Sequence, residues 1–108
     1  MNAQLTEVDH EHMRTFPQHR KTQVMKKIMS LTPVSNEMRN DRHQFEKTLL
    51  NLRRGGYRLI DLQSLENAFT TVWYRKGHSL LGRGADVTMV LWECNEDSDA
   101  TTVMNWKV

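Results

Sequence analysis

The stretch that most constrains the fold runs from Asn36 to Gly56 and reads NEMRNDRHQFEKTLLNLRRGG. It has no proline, its only glycines are the last two residues, and Ser35 in front of it is a good N-cap. Four apolar residues recur at about 100° per residue and share one face. These residues are Met38, Phe45, Leu49 and Leu52. We therefore predict an amphipathic helix from Asn36 to Arg54, ended by Gly55 and Gly56.

The residues before this helix divide at Pro17. From Pro17 to Leu31 the apolar residues again recur at helical spacing, and a proline is tolerated in the first turn of a helix. Residues 1–16 are acidic and poor in apolar groups, which is typical of a short helix or of an N-terminal arm that is not held in place. We expect an arm over 1–16 and a single α+β domain over 17–108.

After the glycines the sequence favours strands. Tyr57–Ile60 predicts a short strand, and Val87–Cys94 and Thr101–Val108 predict a hairpin around the turn-forming residues 95–99. We expect alternate residues of the two hairpin strands to share one face. The expected face contains Thr88, Val90, Trp92 and Cys94 opposite Thr102, Met104, Trp106 and Val108. Trp92 and Trp106 would then lie in the same hydrophobic core.

The segment Leu62–Lys76 supports two interpretations. Its apolar spacing favours a helix, whereas the run Thr70–Tyr74 has the composition of a strand. We take the helix as the expectation and the strand as the alternative, which would complete a four-stranded meander.

The predicted fold class is α+β, with two or three N-terminal helices packed on a small antiparallel sheet that ends in a β-hairpin. The order of helix, strand, helix, glycine-rich segment and hairpin resembles that of a winged helix-turn-helix domain. Gly82 and Gly84 argue against a recognition helix before Val87, and Glu96, Asp97 and Asp99 would repel phosphates at the tip of the wing.

Charge is distributed in three blocks. Residues 1–13 hold three acids and no Lys or Arg, and residues 14–58 hold eleven Lys/Arg and three acids. Residues 59–108 hold four Lys/Arg and seven acids. The formal net charge of +2 therefore hides a strongly basic middle segment. A local positive surface attracts phosphates or acidic proteins whatever the total charge.

The predicted central helix places Arg39, Arg42, His43, Lys47, Arg53 and Arg54 on one arc beside its apolar stripe. The candidate nucleic-acid- or partner-binding residues are Arg39, Arg42, His43, Lys47, Arg53, Arg54 and Arg58. Such a surface could follow a phosphate backbone, contact an acidic protein, or simply be a solvated helix face. Arg75, Lys76, His78 and Arg83 could extend it.

Other chemistry has weaker support. Residues 77–84 superficially resemble a phosphate-binding loop, but Arg83 and Gly84 stand where Lys and Ser or Thr are required. The histidines and acids of residues 9–19 match no metal-ligand spacing, so we expect no metal and no cofactor. No catalytic residue is assigned. A metal-independent ribonuclease would use His43 or His78 as a base.

The remaining features concern the setting of the protein. Cys94 is the only cysteine, which excludes an internal disulfide and favours a reducing compartment. No apolar run is long enough to cross a bilayer, so we expect a cytoplasmic protein without membrane contact. Pairing into a homodimer through the second helix and the strand edge at Val108 is also consistent with the sequence.

The leading hypothesis is a small non-catalytic regulatory or interaction protein that binds nucleic acid, or a nucleic-acid-handling protein, through the basic helical face. The alternatives are a protein-binding inhibitor or adaptor without nucleic-acid contact, and a toxin-like ribonuclease.

Overall fold

The structure is a computed structural model that describes residues 5–39, 42–77, 84–95 and 99–108, without the side chains of Arg39 and Arg42. Three helices and five strands follow one another in this part of the chain. They are α1 (Glu7–Thr15), α2 (Gln18–Met29), β1 (Val34–Arg39), α3 (Arg42–Arg54), β2 (Arg58–Ser64), β3 (Ala68–Lys76), β4 (Ala85–Cys94) and β5 (Asp99–Lys107). The α+β prediction is confirmed. None of the helices in the described ranges is long and apolar enough to span a membrane.

The five strands form one antiparallel sheet in the order β1-β5-β4-β3-β2. The predicted hairpin is confirmed as β4 and β5, and the predicted short strand at Tyr57–Ile60 is the beginning of β2. β5 is an inner strand that pairs with β4 as far as Lys107 and with β1 from Ala100 to Asn105, and the homodimer stays a prediction.

Helix α3 covers one face of the sheet. Phe45 and Leu49 are completely buried and pack on residues of β2, β3 and β4. The Phe45 ring stacks on Trp92 at 5.4 Å between centroids and meets Phe69 edge-on at 5.9 Å. The helix ends as predicted, because Gly56 takes a φ of +88° and the amide of Tyr57 donates to the carbonyl of Leu52 at 3.0 Å.

Helix α2 covers part of the opposite face. Its Val24 and Ile28 are buried with Ile60, Val72, Val87 and Trp106. Lys21 Nζ lies 2.7 Å from Asp61 Oδ1 of β2, and Trp106 Nε1 donates to the carbonyl of Leu31 at 3.1 Å. The helix predicted over Pro17–Leu31 is therefore confirmed, with Pro17 as its N-cap.

Helix α1 packs along β2 and is tied to α3. Thr6 and Asp9 form a capping box at its first turn, and Asp9 is buried against Arg53. Residues 7–15 are thus held by specific contacts, while the division of the chain at residue 16 stays a prediction.

The helix predicted from Asn36 begins only at Arg42, and the prediction for residues 36–39 is wrong. Val34–Arg39 forms β1, whose residues pair with β5 from Val34 opposite Asn105 to Arg39 opposite Ala100. Ser35 is therefore a strand residue and no N-cap. The ladder with β5 supplies backbone partners that the local sequence does not reveal.

The favoured helix over Leu62–Lys76 is also wrong. β2 continues to Ser64, Leu65–Asn67 form a turn, and β3 follows. Trp73 and Val72 are both buried because α3 and α2 cover opposite faces of β3. A strand covered on both sides is apolar at consecutive positions, which explains why its sequence mimics helical spacing.

The pairing of the hairpin differs from the expected one. Cys94 lies opposite Asp99, so Trp92 faces Thr101 and Val90 faces Val103. Trp106 is consequently on the α2 side of the sheet, whereas Trp92 is on the α3 side. A difference of one residue in register moves every side chain of a strand to the other face. A winged helix-turn-helix domain would have its recognition helix over residues 78–85, and residues 78–83 of that segment lie outside the described residues, as do Glu96 and Asp97.

Candidate anion-binding groove

The predicted basic face of the central helix is divided in the structure. His43, Lys47 and Arg54 point outward and are exposed, and we call these three residues the α3 stripe. Arg39 belongs to β1 and Arg58 to β2. Arg42 is the first residue of α3, and its side chain lies outside the described part of the chain. The arc predicted on one helix therefore loses Arg39, whereas Arg58 lies in a strand as expected.

Arg53 is bound within the protein and is not available to a partner. Its Nε donates to Asp9 Oδ2 at 2.7 Å, and its Nη2 lies 2.7 Å from the same oxygen without the direction of a second hydrogen bond. Asp9 also accepts from the amide and hydroxyl of Thr6 at 3.0 and 3.1 Å. This largely buried ion pair joins α1 to α3.

Arg58 is half-buried beneath α1. Its Nη2 donates to Thr15 Oγ1 at 3.0 Å and to the carbonyl of His12 at 3.4 Å, and its guanidinium carbon lies 5.5 Å from the centre of the Phe16 ring. Nε of Arg58 is buried without a hydrogen-bond acceptor among the described residues. Arg58 thus carries charge at a fixed place and retains unused donor capacity.

A groove of about 380 Å³ opens beside Arg58, where the end of α3 meets β2, β3 and α2. We call it the basic groove. Its cationic lining residues come from α2, β2 and β3 and are Arg20, Arg58, Arg75 and Lys76. The described lining contains no Asp, Glu or His. The backbone of Gly55 and Gly56 forms part of the wall, so an anion can approach the main chain closely there.

The basic groove continues along α2. A neighbouring depression of about 290 Å³ shares Arg20, Tyr74 and Lys76 with it and adds Lys27. Arg20 Nη2 donates to the Tyr74 hydroxyl at 2.6 Å, and its guanidinium lies 5.2 Å from the centre of the Tyr74 ring. On its other side, the groove reaches Gly55, which directly follows Arg54 of the α3 stripe. Positive charge therefore extends from α2 across the end of the sheet to α3.

Arg75 is the most firmly held cation of the groove. Its two terminal nitrogens donate to the Gly55 carbonyl at 3.0 Å and to Asp86 Oδ2 at 2.9 Å, and its guanidinium lies 4.4 Å from the centre of the Tyr57 ring. The hydrogen bond that Arg75 donates to Asp86 raises the pKa of Arg75 above its ordinary value. This side chain therefore remains charged at any physiological pH and its orientation is fixed before a ligand binds.

The sequence contained each cation of the groove but not their grouping. Arg20 lies on α2, Arg58 on β2, and Arg75 and Lys76 at the end of β3. Arg75 and Lys76 were expected to extend the basic surface, whereas nothing in the local pattern of α2 distinguishes Arg20 from Lys26. Arg20 lies in the groove because α2 packs beside Tyr74, and this contact is not visible in the sequence.

The surface of α1 does not offer a comparable site. A cavity of about 680 Å³ lies against it, but its described lining comes from α1 alone and mixes Glu7 and Glu11 with Arg14. The described residues contain no group of three or more His, Cys, Asp or Glu side chains placed to hold a metal ion.

Comparisons with family models, with curated proteins and with solved structures find no match for this chain.

Proposed function

We propose that the protein is a non-catalytic binding protein that engages the phosphate backbone of nucleic acid through the basic groove and the adjoining α3 stripe. The observation that carries this proposal is the described lining of the groove, which has four cations and no carboxylate. Phosphate binding draws its affinity from the neutralisation of backbone charges by Lys and Arg. A single strand or a duplex edge that follows the groove would reach Arg54 and Lys47 at one end and Lys27 at the other.

One feature supports contact with phosphate over a purely solvated surface. Cationic side chains from three elements converge on one concave site, so a single phosphate can accept from more than one of them. Asp61 pairs with Lys21, and Asp86 pairs with Arg75 of the groove itself, so Arg75 contributes less net charge to the groove than Arg20, Arg58 or Lys76 does.

Charge reversal in the groove tests the proposal. We expect Arg20→Glu/Lys76→Glu to weaken binding of a short fluorescent oligonucleotide by about tenfold or more, and to reduce the slope of log affinity against log salt by about two. The measurement is fluorescence anisotropy between about 50 and 200 mM salt. Circular dichroism checks that both proteins are folded.

A matched control separates the groove from overall charge. Arg14→Glu/Lys26→Glu makes the same change in net charge at two exposed positions outside the groove. We expect this control to retain nearly the affinity of the unmodified protein. Equal losses in the two double variants would show that the groove has no special role, and absence of binding by the unmodified protein would overturn the proposal.

The α3 stripe is tested in the same assay. Lys47→Glu/Arg54→Glu should weaken binding less than Arg20→Glu/Lys76→Glu, because a solvated helix face holds an anion less firmly than a concave site with several converging donors. A larger loss from the stripe would place the main contact on α3 instead of the groove.

Two other hypotheses use the same surface. An acidic protein partner would also fill the basic groove, and it becomes the better explanation if no oligonucleotide binds while one protein is retained at near-stoichiometric yield after nuclease treatment. The ribonuclease hypothesis needs a base near the groove. The predicted base His43 lies on the α3 stripe and not in the groove lining, and His78 lies outside the described residues, so we favour binding.

A further inference from the structure

A second pocket of about 550 Å³ lies just beyond the end of α3, and its lining joins polar residues of the α3 side to Val87 and Trp106 of the α2 side. Three neighbouring strands supply its polar floor. Arg75 of β3 is opposite Asp86 of β4, and Thr88 of β4 is opposite Asn105 of β5. These residues all project toward the side that α3 covers further along the same strands. The pocket exists because α3 stops at Arg54.

The rim of this pocket is apolar and exposed. Val34 of β1 lies opposite Asn105 and is 75% exposed, and Leu31 is 41% exposed. Tyr57 lines the pocket beside Arg75. Large exposed apolar side chains that gather around a polar floor are typical of a ligand site, because the ligand covers them on binding.

The floor presents a hydrogen-bond donor on Asn105 and an acceptor on Asp86, which lie on adjacent strands. Asn105 Oδ1 accepts from Thr88 Oγ1 at 2.7 Å, which leaves the amide group of Asn105 as a donor. Arg75 engages Oδ2 of Asp86, and a carboxylate bound in this way can still accept from a ligand. Asp86 and Asn105 are diagonal neighbours on adjacent strands, about 7 Å apart, so one planar ligand can reach both. The ligand must carry an acceptor and a donor on one edge.

Arg75 connects this pocket with the basic groove. It contributes to the lining of both, and its bonds to Gly55 and Asp86 fix it between them. A ligand that fills the two sites together therefore has a flat heterocycle with a donor and an acceptor on its edge, joined to a phosphate. A nucleotide unit has this chemistry.

We propose that this pocket, which we call the base pocket, receives an unpaired nucleobase of a single strand whose phosphates lie in the basic groove. The inference rests on the proposed function, since it adds a base site to the phosphate site. A duplex cannot place a base in the pocket without breaking a base pair. The protein is accordingly a binder of single strands, with the base stacked against the rim of Leu31, Val34 and Tyr57.

The test compares three labelled probes of equal length by fluorescence anisotropy at one salt concentration. They are a single strand of mixed sequence, a single strand of abasic residues with the same phosphates, and a duplex. We expect the base-bearing single strand to bind about tenfold more tightly than the abasic strand, since stacking of one base contributes on that scale. We also expect it to bind more tightly than the duplex.

The three outcomes separate the two proposals. Equal affinity for the abasic and base-bearing strands overturns the base pocket and leaves phosphate binding in the groove intact. Preference for the duplex also overturns the base pocket. Absence of binding to all three probes overturns the proposed function, and the base pocket with it.

A pair of variants locates the base contact. Asn105→Ala removes the amide donor from the base pocket and should weaken binding of the base-bearing strand by about fivefold, with no change for the abasic strand. Asn36→Ala is the matched control, because Asn36 is an exposed residue on the same face of neighbouring β1 but does not line the pocket. Equal effects of the two variants, or an equal effect of Asn105→Ala on both strands, would contradict a base at this position.

Discussion

The two ends of the α3-covered sheet face are built from the same strands and have opposite chemistry. At one end, Trp73, Val90 and Trp92 are buried beneath Phe45 and Leu49. At the other end, the same strands present Arg75, Asp86, Thr88 and Asn105 to the base pocket. The difference coincides with the end of α3 at Arg54. The length of this helix therefore determines which part of the sheet face belongs to the hydrophobic core and which part lines the base pocket.

This contrast also explains why the polar end can be preorganised. The Arg75 guanidinium is fixed by a carbonyl from the α3 terminus and by a carboxylate from β4. At the covered end, the packing of α3 fixes the positions of the strands. The polar groups at the uncovered end lie on the same strands and are therefore held in place. Sites on regular elements are held more accurately than sites on loops.

The largest effect is expected at the covered end. Phe45→Ala removes a completely buried ring from between Phe69 and Trp92 and should lower the free energy of unfolding by about 4 kcal/mol. Urea denaturation followed by circular dichroism measures it. Leu50→Ala, on the outer side of the same helix and 37% exposed, should cost far less. Similar losses in both variants would show that α3 does not discriminate between its faces.

An intermediate effect is expected at the boundary. Gly56 has a φ of +88°, which an alanine adopts only with strain, so Gly56→Ala should cost about 1 kcal/mol. Gly55→Ala is the matched control, because Gly55 lies outside the positive-φ region and an added Cβ would be 3.4 Å from the nearest atom. Thermal unfolding compares the two. Greater damage from Gly55→Ala would contradict this account of how α3 ends.

The smallest effect on stability is expected at the uncovered end. Thr88→Val deletes the hydroxyl that donates to Asn105 and should cost about 0.5 kcal/mol, because the exposed Asn105 can bond to water instead. The same replacement at Thr102, on the α2 side of β5, provides the comparison. A loss in Thr88→Val as large as that in Phe45→Ala would remove the distinction between core and site.

Local signals made part of the fold predictable. Pro17 and the pair Gly55–Gly56 mark helix boundaries by their own backbone restrictions, and α2 and the C-terminal end of α3 were predicted correctly for that reason. The hairpin strands were found through their β-branched and aromatic residues. These features depend on neighbours in sequence and require no knowledge of packing.

Long-range pairing explains the errors. β1 contains Ser35, Asn36 and Glu37, which are exposed on an edge strand and show no apolar alternation. Its strand conformation depends on pairing with β5, far away in sequence. In β3, burial on both sides places apolar residues at consecutive positions, and helical spacing is one of the patterns that results.

The sequence predicted a positively charged surface but not the positions of the side chains that form the candidate site. Lys47, Arg54 and Arg58 were identified, but Arg53 was counted as available although it is bound to Asp9. The groove requires Arg20 from α2 beside Lys76 from β3, and no spacing rule relates residues on two separately packed elements. The base pocket was not foreseen, because it depends on the true register of the hairpin.

The position of β1 has a consequence for the order of folding. Among the described strands, β1 lies at the edge of the sheet and pairs with β5 alone, and Met38 lies opposite Thr101 across a long loop that contains α3 and three other strands. During synthesis α3, β2, β3 and β4 can associate while β1 is still unpaired, because β5 is synthesised after them. Closing such a long loop slows folding. We expect β1 to be the last strand to dock and the first whose amides exchange with solvent when the protein opens.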